Sequence, residues 1–438
     1  MDEARKAPSV QIAKQGADTR DWSWVEASVW TDRMLSALGN GVKGGVWYSV
    51  VDKVYAPATL AAAWAKVKAN GGAAGVDRQS IERFAAHADV YLAELSRALR
   101  AGDYRPAAIR RVEIPKGDGG MRPLGIPTVK DRIAQTAVKF VLEPILEARF
   151  HPASFGFRPG RGAKDALRVV DRLVKSGCCF VVDADLKSYF DTIPHDRLME
   201  RLRAQVSDGR VLDLVQAWLN QEIVAECGRW TPAGGTPQGA VISPLLANLY
   251  LHPLDEWMAA HGLAMVRYAD DFVVLCDSME KAQEALALIQ AFANENGLTL
   301  HPDKTHIGDC RIKGQGFEFL GYRFEAGHRF VRKKSILRLR DRIRAKTRRT
   351  SGQSLARTIE ALNPMLKGWF AYFKHATSGL KDVDAFVRRR LRAMLRKQEK
   401  RPGCGAAPED RLRWPNAFFA SAGLFTLDTA WRQARQSR

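Results

Sequence analysis

The chain has 438 residues, long enough for a sizeable core and two or three domains. Its 46% hydrophobic content excludes wholesale disorder, and no apolar run is long enough to span a bilayer. A formal charge of +20 and a pI near 9.9 point to a polyanionic partner, and with no secretory-type apolar core in residues 1–14 the reading favours nucleic acid in the cytoplasm over a membrane. Cys178, Cys179, Cys227, Cys276, Cys310 and Cys404 show no C-x-x-C spacing and read as reduced, mostly buried thiols.

In chain order, residues 1–21 are polar. Helical patterns follow through Trp30 and Leu38, over 54–68 and over 81–100, separated by glycine-rich loops at 39–45 and 71–77. Loose alternation of Ile109, Val112 and Ile114 predicts a strand, leading into Lys116-Gly-Asp-Gly-Gly-Met-Arg122, a hairpin tip flanked by two cations. That tip is either a solvated turn or a grip on nucleotide phosphates. Residues 131–150 form a clear helix, then Ser154-Phe-Gly-Phe-Arg158-Pro-Gly-Arg161 interleaves aromatics with arginines, as base-stacking loops do. The next strand is Phe180-Val-Val-Asp-Ala-Asp185, with Asp183 and Asp185 on one face, and it runs on to Phe190. Helices over 196–204 and 210–222 precede Thr236-Pro-Gln238-Gly239, which opens an apolar helix over 245–252.

The central stretch is Tyr268-Ala-Asp-Asp271, set between two short runs of β-formers, so that it reads as a hairpin with two carboxylates at its turn. Adjacent aspartates repel, and buried strands that place them together normally recruit a cation. A periodic helix covers 279–296, and His301 and His306 beyond it have no ligand spacing. The run 317–324 alternates as a strand, with Gly321 marking a bend. From 329 to 401 about 23 Lys and Arg face about 5 Asp and Glu, interleaved with Trp369 and other aromatics, which points to nucleic-acid contact. Arg401-Pro-Gly-Cys-Gly405 reads as a linker before a short apolar tail.

Antiparallel pairing of the two strand ends would gather Asp185, Asp270 and Asp271 into an oxygen-ligand cluster suited to two Mg²⁺ ions. Lys116 and Arg122 would neutralise a triphosphate, and Phe190 would pack beneath the incoming sugar. This is the chemistry of a template-directed nucleotidyl transferase.

These motifs, in this order, resemble the reverse transcriptase–maturase proteins of bacterial group II introns, from about Trp30 to the tail. The resemblance implies an α+β right-hand polymerase: an extension at 1–50, fingers and palm at 51–328, a basic helical thumb or maturase domain at 329–402, and a linker and short tail at 403–438. It implies catalytic, metal-holding Asp185, Asp270 and Asp271, with Asp185 and Asp270 the main bridging ligands, Asp271 auxiliary and Asp183 a decoy. Nucleotide contacts fall to Lys116, Arg122, Phe190, Gln238, Gly239 and Lys304, the last a proton donor, and the primer grip to Phe319, Leu320 and Gly321. Arg338, Arg342, Lys367, Trp369, Arg388, Arg389, Arg390 and Arg392 would meet intron RNA. The implied cofactor is Mg²⁺, with Mn²⁺ able to substitute. The implied partners are intron RNA, an RNA template–DNA primer duplex, dNTPs and target DNA. Residues 401–438 lack the paired cysteines and histidines of the endonuclease domain that many relatives carry, which implies a compact lineage. An RNA-binding splicing cofactor and a reverse transcriptase serving phage defence are the competing readings.

Overall fold

The computed structural model describes residues 21–42, 45–115, 120–226 and 228–436. Lys116 and Cys227, and most of the polar N-terminal stretch, lie outside the described residues.

Two helices form the spine of the larger core. Val129–Glu147 starts at Thr128, whose hydroxyl accepts the Asp131 amide at 3.1 Å and so caps the first turn. It is buried on most sides, and its buried Asp131 accepts the Tyr104 hydroxyl at 2.6 Å. Ser243–Ala260 is likewise buried on most sides and runs a further two turns past the predicted end.

The strands are, in order, β1 (Ile109–Pro115), β2 (Met121–Ile126), β3 (Phe180–Asp185), β4 (Ile223–Ala225), β5 (Gly228–Trp230), β6 (Ala264–Tyr268), β7 (Asp271–Cys276), β8 (His306–Asp309), β9 (Phe317–Phe319), β10 (Tyr322–Glu325) and β11 (His328–Val331). The central sheet, β6-β7-β3-β8, is antiparallel throughout. Its strands read as nearly unbroken hydrophobic runs because both faces are covered. Alternate residues enter different cores: Val182, Ala184, Phe272 and Val274 pack on the spine helices, whereas Val181, Val273 and Leu275 face the helix Ala163–Lys175 and the β11-β10-β9 sheet. The same parity puts Asp183, Asp185 and Asp271 on that second face. A smaller sheet, β2-β1-β4-β5, contains one parallel pair, β1 with β4.

The run read as one strand over 317–324 is two, β9 and β10, because the chain reverses at Leu320-Gly321. β8 escaped the sequence reading because the polar run Pro302-Asp303-Lys304-Thr305 that leads into it masks a short edge strand.

Beyond β11 the helices Lys333–Lys346, Leu355–Phe373 and Leu380–Gln398 make a bundle with its own core. The C-terminal segment, expected to follow a linker, is instead part of that core: Trp414, Phe419, Leu424 and Leu427 are buried among bundle residues. Asp384 accepts the amides of Leu427 and Asp428, both at 2.9 Å, fixing the start of the helix Leu427–Gln436. No described helix is long and apolar enough to cross a membrane.

Candidate active site and nucleic-acid interface

β6 and β7 close on the pair Tyr268–Asp271, leaving a two-residue loop, Ala269-Asp270. Ala269 has φ +60°, the positive value that primed hairpin turns require at this position. A neighbouring backbone stabilises the tip. A Cβ on Gly156 would lie 2.2 Å from the Ala269 nitrogen, so only glycine allows this approach. The adjacent chain pairs with β6 through Phe155 N to Arg267 O (2.8 Å) and Arg267 N to Ala153 O (3.0 Å).

Arg267 is the anchor that the sequence did not announce. Its side chain is 0% exposed and donates to both oxygens of buried Asp255 (2.7 and 2.5 Å), to Asn248 Oδ1 (2.9 Å) and to the Ala269 carbonyl (2.9 Å). Asn248 in turn donates to the Gly156 carbonyl at 2.7 Å. One guanidinium therefore ties the hairpin loop to the Ser243–Ala260 helix and, through Asn248, to the bracing loop. Within that loop Phe155 is core and Arg158 is buried against Glu147 at 2.6 Å, so neither is the nucleic-acid contact its pattern evoked. Phe157 is 50% exposed, with φ +56°.

In the β3–β7 ladder Asp185 stands directly opposite Asp271. Burial raises the Asp271 carboxyl to about 7, with the charges of Asp183, Asp270 and Asp185 adding to it. Asp270 is raised for the same reasons, burial first and then Asp185, against the opposing fields of Arg122 and Arg267. Asp183 is pushed up to about 6 by burial, eased by His306 opposite it on β8. Its charge is the strongest neighbouring charge on Asp271. The charges of Asp270 and Asp185 both act on Asp271, so the three carboxylates share one electrostatic environment.

Lys304 Nζ lies 2.5 Å from Asp185 Oδ2, and the His301 amide donates to the Asp185 carbonyl at 2.7 Å. Among the described residues no three His, Cys, Asp or Glu side chains gather into a closed metal-ligand set. Mg²⁺ is usually held by one or two carboxylates completed by water and substrate phosphate, so an open, all-oxygen donor set fits it. The ammonium on Asp185 and the raised acids around it both mark a place where positive charge is stabilised.

Arg122 Nε donates to Gln238 Oε1 (3.0 Å), and Gln238 donates to Asp191 (3.0 and 3.1 Å). A Cβ on Gly239, at φ +110°, would sit 2.3 Å from the Gly125 carbonyl, so β2 and the 236–239 segment meet backbone to backbone. Beside them Phe190, Pro123, Trp230 and Gln238 line a cleft of about 330 Å³.

The β9–β10 turn carries positive φ at both Leu320 (+48°) and Gly321 (+83°). A left-handed leucine is strained, and it is held by contacts from the bundle: Tyr372 donates to the Leu320 carbonyl (2.8 Å), and Tyr322 donates to the Tyr372 carbonyl (2.6 Å). Phe319 is buried beneath the turn.

Of the predicted RNA contacts, Arg338, Arg342, Lys367 and Arg389 are exposed and Arg388 is half-buried. Arg390 donates to Thr347 Oγ1 (3.1 Å) and O (2.8 Å), and Trp369 lies between the two cores, 4.7 Å from the Phe373 ring. Arg392 differs from the expectation: it is 6% exposed and donates to the Trp414 carbonyl (2.9 Å) and to Asn416 (3.1 Å). It holds the C-terminal segment instead of facing solvent.

Residues 114–324 match the family described as reverse transcriptase (RNA-dependent DNA polymerase), and residues 336–410 the one described as group II intron, maturase-specific domain. The chain is 35% identical over 305 residues to Protein YkfC of Escherichia coli (strain K12), covering 60% of this chain and 76% of that protein. It is 37% identical over 166 residues to the group II intron-encoded protein LtrA of Lactococcus lactis subsp. cremoris, covering 38% of this chain and 28% of LtrA. A solved partial Cas6-RT-Cas1--Cas2 complex is similar at 27% identity and a TM-score of 0.37, over 56% of this chain and 41% of that one.

Proposed function

The chain belongs to the group II intron reverse transcriptase–maturase family, and from that membership we propose that it copies RNA into DNA, binds intron RNA and assists its splicing and mobility. The observation that carries the polymerase reading is Asp185 opposite Asp271, beside the Ala269-Asp270 turn. Asp185, Asp270 and Asp271 would hold divalent cations, Mg²⁺ or Mn²⁺, which activate a primer 3′-hydroxyl and neutralise the departing pyrophosphate.

The remaining work belongs to the chain's own side chains. Arg122, oriented by Gln238, binds the triphosphate with Lys116, and Phe190 packs beneath the sugar. Gln238 and Gly239 support the template base. Lys304, whose ammonium lies 2.5 Å from Asp185, stands beside the leaving group as its proton donor. The Leu320-Gly321 turn supports the primer end. The bundle's exposed cations bind RNA, and the setting is cytoplasmic, with dNTPs, a primer–template duplex and target DNA as partners. The fingers and palm fall within 51–328, and the RNA-binding unit runs from 329 through the C-terminal segment.

Primer extension on an RNA template tests this. Wild type should extend a DNA primer, and Asp270→Ala should abolish extension while leaving intron RNA affinity within about twofold, because that affinity rests on phosphate contacts elsewhere. A wild type that extends no primed RNA overturns the proposal.

A further inference from the structure

A cleft of about 850 Å³ lies away from the aspartates, between the bundle and the C-terminal segment. Arginines are the commonest residues in its wall. Arg340 and Arg344 come from Lys333–Lys346, Arg388 and Arg389 from Leu380–Gln398, and Arg411 from the short helix Pro408–Arg413; Asp382 is the one acid lining it. The guanidinium carbons of Arg340, Arg344 and Arg389 all lie 5.4–5.5 Å from the centre of the Phe386 ring. Such contacts do not remove the mutual repulsion of cations gathered on one ring. Arg340 Nε is buried and has no acceptor among the described residues. Burial and the fields of Arg388 and Arg411 also lower the proton affinity of Arg392, which lines the cleft. A multiply charged anion would relieve all of these at once.

The C-terminal segment is built into this wall. Gly405 turns there at φ +75°, and a Cβ on it would lie 2.4 Å from the Ala393 nitrogen and 2.9 Å from the Arg389 carbonyl. Arg392 binds the Trp414 carbonyl and Asn416, and Arg396 binds buried Asp410 at 2.6 Å. Two arginines of the helix thus seat the segment, and the seated segment delivers Arg411 to the opposite side of the cleft.

We propose that this cleft binds backbone phosphates of folded RNA, and that the C-terminal segment exists to complete it. Guanidinium forks match phosphate oxygens two at a time, and five of them converging from three elements suit a backbone that bends through the cleft. Phe386 is 7% exposed beneath its arginines and leaves no face for a base, so the site reads charge and shape without reading sequence. The identity of the RNA rests on the maturase reading.

The test measures full-length protein binding to a folded group II intron fragment and to an unrelated folded RNA of equal length, across a salt series. Arg344→Gln, Arg389→Gln and Arg411→Gln should each weaken binding to both RNAs and flatten the slope of log K against log salt by roughly 0.7–0.9, one phosphate contact each. Arg411→Lys should restore most of the slope. Arg432→Gln, which removes an equally exposed charge outside the cleft, should leave it unchanged. Melting temperatures of all variants should match wild type, which separates lost contacts from lost fold. Slopes indistinguishable from that of Arg432→Gln overturn the cleft, even if wild type prefers the intron fragment. Flattened slopes with no preference between the two RNAs uphold the cleft and overturn the maturase assignment instead.

Discussion

The palm site and the basic bundle handle charge in opposite ways. In the palm a few acids are buried together, and their surroundings are held by strained backbone: Phe157, Ser188, Ala269 and Leu320 all have φ between +48° and +60°. Each such residue costs on the order of 1–3 kcal/mol and persists only where neighbours over-determine it. In the bundle many cations stand on regular helices, and the described non-glycine residue with positive φ there, Lys400, falls beyond the last turn of Leu380–Gln398. A palm charge acts through its position, and no other charge can replace it. A bundle charge acts through the sum, so losing one subtracts a share. Mutations should therefore fail abruptly in one region and gradually in the other.

The sharpest break should come at Asp255→Ala. It leaves Arg267 charged and unpaired at 0% exposure, and about 3–5 kcal/mol of stability should disappear in denaturant unfolding, together with primer extension. A loss below about 1 kcal/mol would show that the hairpin does not depend on this pair. Next in size, Lys304→Met should lower kcat on the order of 10²-fold with little change in dNTP KM. An effect confined to KM would assign Lys304 to nucleotide binding.

A smaller effect concerns pH. Asp183 and Asp271 have folded values near 6 and 7, above their unfolded value of 3.8, so the folded state binds more protons across that window. The stability that these two acids contribute to the metal-free protein should therefore be fully present below about pH 4 and be lost as pH rises to about 7. Added Mg²⁺ should stabilise most on the alkaline side of that window, read as melting temperature against pH. A profile that rises through the window would contradict the clustering of the acids. The smallest change should come at Arg342→Gln on the exposed face of the bundle. RNA affinity should drop only a few-fold, with no change in melting temperature.

This contrast also explains what could be read in advance. The hairpin, the strand ending at Asp185 and their convergence were legible because period-two alternation and turn chemistry are local signals. The basic helices were legible because charge density survives without a structure. Partners far along the chain were hidden. Arg267 reads as an ordinary polar residue in a strand until Asp255, on a different element, is brought beside it. Arg392 reads like its neighbours Arg388 and Arg389, although one helical face turns it inward. Asp183 shares a strand face with Asp185 in the sequence, but its closeness to Asp271 depends on the β3–β7 pairing. The C-terminal segment looked detachable because Gly405 suggests a linker when its close contact with the helix is unseen.

The two tyrosines that join the bundle to the β9–β10 turn have a mechanical consequence. Tyr322 and Tyr372 each donate to a backbone carbonyl across the junction, and Trp369 packs into both cores beside them. At this end the helix Leu355–Phe373 is riveted, not hinged, to the strand turn that faces the aspartates. Any torque that a bound polymer applies to the bundle would be delivered to Leu320 with little slack. Cargo held on one side of the molecule would thereby set the alignment of the growing strand on the other.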